Sequence, residues 1–390
     1  MEAHPQERPV KVFLVCTGVD IFNRGIESFA RECFEGLRHR PGLRLTLLKG
    51  AGSSTPEEIP LPCLKRTGLP AQWIGRLIRR SPYTVEQLSS FFPVVWAIRQ
   101  QRPAVVFTSE ANLAFQLHRH RRLIGVPFRL LLSNGAPLSP PFNRVDYVHH
   151  VTPIHRASAL AAGESPIRHH MVPYGITVPC RYPWLDESSK VALRRRLQLP
   201  GKRPIVLSVG HIGRDHKRMD TLVEELARIP EPKRPFLVML GNMTAESAAI
   251  IRQATEQLGN QGFAARSVPY RDVGPYYQVA DLFVLCSRTE GFGRVYLEAL
   301  VNGLPVVAHD HPVMKFVLGD FGTLINMDSP GCTAAALERT LNTPNSESAR
   351  AARFAYVRTN FSWDALAPQY MQMFQTVAAG PLFPSPLSST

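Results

Sequence analysis

The chain has 390 residues, too many for one ordinary hydrophobic core, so two domains of roughly 150 to 200 residues are expected. Its 44% apolar and 19% charged residues exclude global disorder. The 45 Lys+Arg against 31 Asp+Glu give +14 and call for an anionic partner: nucleic acid, a lipid surface or a phosphorylated substrate.

From Val10 onward short apolar runs alternate with helical patterns, the signature of β-α-β units around a parallel sheet. Strands are predicted over residues 11–17, 44–49, 104–108, 128–132 and 147–150, with helices over 27–37, 86–100 and 111–124. The stretch Pro173 to Pro204 holds five prolines and a basic helical segment at 190–198, which reads as the linker and hinge. A second series follows, with strands over 205–209, 236–240, 263–267, 282–285, 305–308 and 323–326 and helices over 219–228, 245–258 and 295–302. A last helix, 363–377, has no strand after it, and the Pro/Ser-rich end, 379–390, reads as a disordered tail.

The six cysteines form no Cys-x-x-Cys pair and lie mostly in apolar runs, which reads as reduced core thiols of a cytosolic protein. Met1 to Pro9 is polar and unlike a signal peptide, and no apolar run nears the ~18 residues of a membrane span. The expected location is therefore cytoplasmic, with any membrane contact at the inner face. The pairs His149-His150 and His169-His170 and the His118-x-His120 triplet lack a cysteine or acid at ligand spacing and read as ordinary histidines.

Three loops carry chemistry. The first, Gly18 to Gly25 with Asn23 and Arg24, leads from the first strand into a helix, where free N–H groups favour anions; a plain turn reads as well on this loop alone. The second, Val209 to Lys217, sets His211, Arg214 and Lys217 at the carboxyl end of the second sheet, suited to a diphosphate. In the third, Ser287 to Leu300, a Gly-rich turn opens a helix, and Glu290 and Glu298 stand where both can accept from hydroxyls. Anion donors beside hydroxyl acceptors describe a nucleotide sugar.

The Glu290-x7-Glu298 spacing around Gly291-Phe292-Gly293, the Lys217 loop and the Val172 to Ile176 turn resemble the retaining glycosyltransferases of family 4. That resemblance implies an α/β GT-B fold, two Rossmann-like doubly wound domains with an inter-domain cleft. The boundaries expected are 1–185 for the acceptor-side domain, completed by the helix at 363–378, and 186–362 for the donor domain. It implies a sugar moved from a nucleoside-diphosphate sugar to a hydroxyl acceptor with retention of configuration, in glycolipid, polysaccharide or glycan biosynthesis. Two rivals stay open: a silent binding protein on the same fold, and a nucleotide-sugar 2-epimerase.

Residue by residue, the resemblance makes Lys217 the diphosphate cation, with His211 where an arginine is usual and Arg214 as its substitute. Glu298 takes the ribose hydroxyls and Glu290 the transferred sugar. Gly291, Phe292, Gly293, Arg294 and Val295 form the turn that meets sugar and phosphate. Val268, Tyr270 and Gly241 line the base pocket, and Gly25 the phosphate-side loop. Asn134 stands where the family often has a catalytic histidine; it hydrogen-bonds but is no base. Catalysis would then rest on Glu290, Lys217 and Asn134 by front-face transfer. No Asp-x-Asp triplet occurs, so no divalent metal or other cofactor is expected.

Of the +14, +10 falls within residues 1–190. Donor chemistry leaves it unexplained, and it points to a lipid-linked or otherwise anionic acceptor, with Arg76, Arg79 and Arg80 as either a membrane-facing group or a solvated face. Basic clusters without interleaved aromatics argue against nucleic acid.

Overall fold

The computed structural model describes residues 9–22 and 25–383. Asn23 and Arg24, and the tail from residue 384, lie outside the described residues. The chain forms two parallel sheets of seven and six strands, each with its own compact unit.

The first sheet holds β1 (Val10–Cys16), β2 (Leu43–Lys49), β3 (Glu58–Pro60), β4 (Val105–Thr108), β5 (Arg129–Ser133), β6 (Tyr147–His150) and β7 (His169–Met171), in the order β3-β2-β1-β4-β5-β6-β7. The second holds β8 (Ile205–Val209), β9 (Phe236–Leu240), β10 (Phe263–Arg266), β11 (Leu282–Leu285), β12 (Val306–His309) and β13 (Gly322–Ile325), in the order β10-β9-β8-β11-β12-β13. The central strands are near-continuous apolar runs because helices cover both faces of a parallel sheet. Val12 pairs with Leu45 on one side and Val105 on the other. Phe13, Val15, Val106, Leu130 and Leu132 are packed under Val94, Leu113 and Leu117 from the helices.

In each sheet the strand order reverses beside its first strand, between β1 and β4 and between β8 and β11. Ligands of open α/β sheets bind at the carboxyl ends of the strands at such a reversal. The loops after β1, β8 and β11 are the three singled out above.

The predicted helix 86–100 is two helices, Pro82–Ser89 and Phe91–Gln101. Pro93 has no N–H to continue the ladder, and Ser81 caps the first helix by accepting from Thr84 N at 3.2 Å. The unit boundary lies at Thr177–Val178 rather than at 185/186. Tyr182 stacks on Trp184 (centroids 4.2 Å) and both meet Phe354, while Arg194 of the basic segment donates to Asp281 at 2.6 Å. Most of the Pro-rich stretch is therefore integral to the second unit.

The helix Trp363–Ala379 belongs to the first unit, where Tyr370 donates to Pro173 O (3.0 Å) and Phe374 meets Phe107 edge-on. The expectation of disorder from 379 fails for Gly380 to Phe383. Pro381 O accepts from Tyr147, Phe383 N donates to Asp146, and the Arg168 guanidinium lies over the Phe383 ring. The cysteine reading holds for Cys16, Cys33 and Cys286, which are buried; Cys180 and Cys332 are exposed and Cys63 half-buried, being in loops or at a helix start. No described helix is long and apolar enough to cross a membrane.

Candidate functional site

In the second unit, the loop after β8 brings Lys217 Nζ to 2.6 Å from Glu290 Oε1, on the loop after β11. The pair is mostly buried, with side chains 17% and 7% exposed. Gly293, with φ +84°, turns the chain into the helix Arg294–Val301 and leaves that helix's first N–H groups at the same sheet edge. A Cβ there would stand 2.7 Å from the Tyr296 ring. One helical turn on, Glu298 accepts from the Tyr277 hydroxyl at 2.9 Å and the Tyr270 hydroxyl at 3.2 Å. Burial, then the Glu298 charge, pushes the Tyr277 phenol well up, so it stays a donor.

The other sequence-predicted residues divide. His211 Nε2 lies 3.5 Å from Glu246, to which the Arg214 backbone N donates at 2.6 Å, which with burial opposing holds that carboxyl low, while the Arg214 guanidinium lies 3.9 Å from Asp220. Gly241 allows a close approach of β9 to β8, since a Cβ would reach within 1.7 Å of Gly210 O. Gly291 and Val295 are half-buried beside the pair, whereas Phe292 packs inward on Phe361 and Arg294 is buried. Val268 is half-buried on the Tyr270 loop. Tyr277 was not foreseen, because its helix, Gly274–Val279, is six residues long and carries no periodic signal.

In the first unit Gly25 opens the helix Gly25–Leu37, and a Cβ there would meet nothing within 4 Å. Asn134 is 2% exposed and closes its own turn, its Oδ1 accepting from Leu138 N (2.7 Å) and its Nδ2 donating to Leu138 O (3.3 Å). Both ends of the Asn134 amide thus make a hydrogen bond within the turn, which fixes the side chain at the carboxyl end of β5. Of the paired histidines, His149, His150 and His169 are buried and His170 half-buried, with His149 donating to Val172 O and His150 lying 2.8 Å from His169; burial lowers His149 to about 4 and His150 to about 3. Among the described residues no three His, Cys, Asp or Glu side chains are grouped to hold a metal ion.

A buried cluster that the sequence did not reveal sits at the carboxyl ends of β1 and β4. Glu86 accepts from Arg66 N, Nε and Nη2 at 2.7, 3.0 and 2.6 Å, and Arg66 lies over the Phe22 and Tyr83 rings. Thr17 Oγ1 stands 2.8 Å from Glu86 Oε1 and 2.5 Å from Glu110 Oε1. One hydroxyl proton serves only one of two ionised carboxylates. Glu86 faces the guanidinium, so the extra proton falls to Glu110, whose burial, opposed by its Thr17 hydrogen bonds, raises its pKa to about 7.

Glu110 binds a proton more tightly folded than unfolded, so its stabilising effect is whole below pH ~4.5 and lost as the pH rises through about 7. The difference is worth about 3 kcal/mol. Glu110→Gln keeps the neutral form, and denaturant titrations should find it more stable than wild type at pH 8 by an amount of that order, with little difference at pH 5. Parallel pH profiles for the two proteins would contradict this.

A family model described as glycosyl transferases group 1 matches residues 189–357. The chain is 30% identical to a D-inositol 3-phosphate glycosyltransferase of Xylanimonas cellulosilytica, over 53% of this chain and 51% of that protein. It is 27% identical to a mannosylfructose-phosphate synthase of Agrobacterium fabrum, over 44% of this chain and 42% of that protein. The chain thus spans about half the length of the curated relatives it matches. Among solved structures, a sucrose-phosphate synthase from Thermosynechococcus elongatus superposes with TM-score 0.76 at 19% identity, over 95% of this chain and 99% of that one. Anabaena HepE, in complex with UDP and glucose, gives 0.72 at 15%, over 94% and 100%. The fold is GT-B, as expected.

Proposed function

From a second unit that carries a group 1 glycosyl transferase domain, we propose that the chain moves a sugar from a nucleoside-diphosphate sugar to a hydroxyl acceptor, with retention of anomeric configuration. The observation that carries this reading is the Lys217–Glu290 pair at the β8/β11 reversal, with Glu298 one helical turn on. Complexes of HepE with UDP-glucose lend support for the donor class.

In the transfer, the bond from the sugar's anomeric carbon to the diphosphate oxygen breaks and one to the acceptor oxygen forms on the same face. The leaving diphosphate takes up the acceptor's proton. Lys217 and the N–H groups around Gly293 are aimed at charge that develops on the leaving oxygen, where such donors count most. Glu290 accepts from a sugar hydroxyl and Glu298 from the ribose, beside a base lying along Tyr270 and Val268. No divalent ion is needed in this scheme. The acceptor is lipid-linked, met at the inner face of an anionic membrane in glycolipid, polysaccharide or glycan biosynthesis.

Slow hydrolysis of UDP-, GDP- and ADP-sugars, followed by NMR with EDTA present, tests the reading without an acceptor. One donor should release sugar in the donor's own anomeric form. Release of the opposite anomer, or activity abolished by EDTA and restored by Mn²⁺, would overturn it. Glu298→Gln should raise the KM for that donor about tenfold with kcat little changed, since it removes charge from a hydrogen bond made throughout the reaction. An unchanged KM would remove Glu298 from the donor site.

A further inference from the structure

The helix Leu69–Leu77 is packed inside out. Its buried residues are Ala71 and Gly75, while Leu69, Trp73 and Leu77 stand outward, 68%, 68% and 83% exposed. Spaced at i, i+4 and i+8, they form one stripe about 12 Å long. An amphipathic helix that serves only its own core turns such residues inward. A second outward group, Phe92 and Trp96, lies one turn apart on the helix Phe91–Gln101 of the same unit.

Beside the stripe is a cavity of about 450 Å³ lined by Gln72, Gly75, Arg76, Arg79, Arg80 and Pro82. The chain folds back there through Arg79, held at φ +52°, and Arg80 N donates to Gly75 O at 2.8 Å. The three arginine side chains are exposed and have no acidic partner among the described residues. Guanidinium forks match phosphate oxygens in pairs.

We propose that this face docks on an anionic phospholipid surface, with Leu69, Trp73 and Leu77 among the acyl chains and Arg76, Arg79 and Arg80 gathering a headgroup phosphate into the cavity. Charge complementarity selects this occupant. A second copy of the chain would set the same unpaired guanidinium groups against one another, and nucleic acid offers no acyl surface on which to bury Leu69 and Leu77. The inference deepens the acceptor side of the proposed function, but vesicle binding is read without turnover, so each can fail alone.

The experiment is co-sedimentation of the full chain with phosphatidylcholine vesicles, with and without about one third phosphatidylglycerol. Wild type should bind the anionic vesicles and lose binding at high salt. Arg76→Ser, Arg79→Ser and Arg80→Ser together should weaken partitioning roughly a hundredfold, at about fivefold per arginine. Leu69→Ser, Trp73→Ser and Leu77→Ser together should abolish it, and thermal melts confirm that both variants are folded. Equal binding to neutral vesicles, no binding, or wild-type binding by either variant would overturn the proposal. So would self-association that the Leu69/Trp73/Leu77 variant abolishes without any vesicle binding, which would assign the face to a second copy.

Discussion

Lys217→Ala should lower kcat by about 10²- to 10³-fold and weaken donor binding as well. In the proposed transfer the ammonium faces the leaving diphosphate, and removing one preorganised donor from a developing oxyanion costs this much. The same change strands Glu290, 8% exposed, without the cation 2.6 Å away. With the lysine 17% exposed, water screens part of the loss, and a destabilisation of about 1–3 kcal/mol is expected. Lys217→Arg should restore most of the melting temperature and only part of kcat, because the longer fork keeps the charge but moves it. Wild-type turnover in Lys217→Ala would leave the diphosphate without its chief cation.

Glu290→Gln should cost kcat about a hundredfold while nucleoside-diphosphate affinity holds or rises. Glutamine fits the same space but loses the charge that orients a sugar hydroxyl, and it frees Lys217 for phosphate. A variant that binds but does not turn over separates a transferase from a silent binding protein of the same fold. Undiminished donor hydrolysis in Glu290→Gln would instead move the chemistry elsewhere.

Much of this was legible because parallel strands buried on both faces are apolar runs. Ile205–Val209, Phe236–Leu240 and Leu282–Leu285 are read to the residue. The edge strands Glu58–Pro60 and His169–Met171 are three residues each, half-polar, and invisible to periodicity. The helix Leu69–Leu77 shows in the sequence only through residues 73–80, whose mixed apolar and basic residues suit an interfacial helix, because its large residues face outward and blur the pattern that marks a core-facing one.

At the site, Lys217 and Glu290 could be anticipated because each lies on a loop past a strand end, and Glu298 because it stands one turn into the helix that the Glu290 loop opens. What joins them to partners could not. Tyr277 reaches Glu298 from a six-residue helix, and Glu110, Glu86, Arg66 and Thr17 converge from four separate segments. Asn134 shows the converse: its position invites a catalytic reading, yet its amide satisfies Leu138. A sequence shows where a side chain begins, and tertiary contacts decide where it ends.

The most direct test of the central claim is calorimetric titration of UDP, GDP and ADP into wild type and Lys217→Ala with EDTA present. One diphosphate should bind wild type, and its affinity should fall at least tenfold in the variant, with the corresponding monophosphate nearly indifferent to the change. Failure of all three to bind, or equal affinity for wild type and variant, would contradict the assignment of the β8 and β11 loops as a nucleoside-diphosphate site.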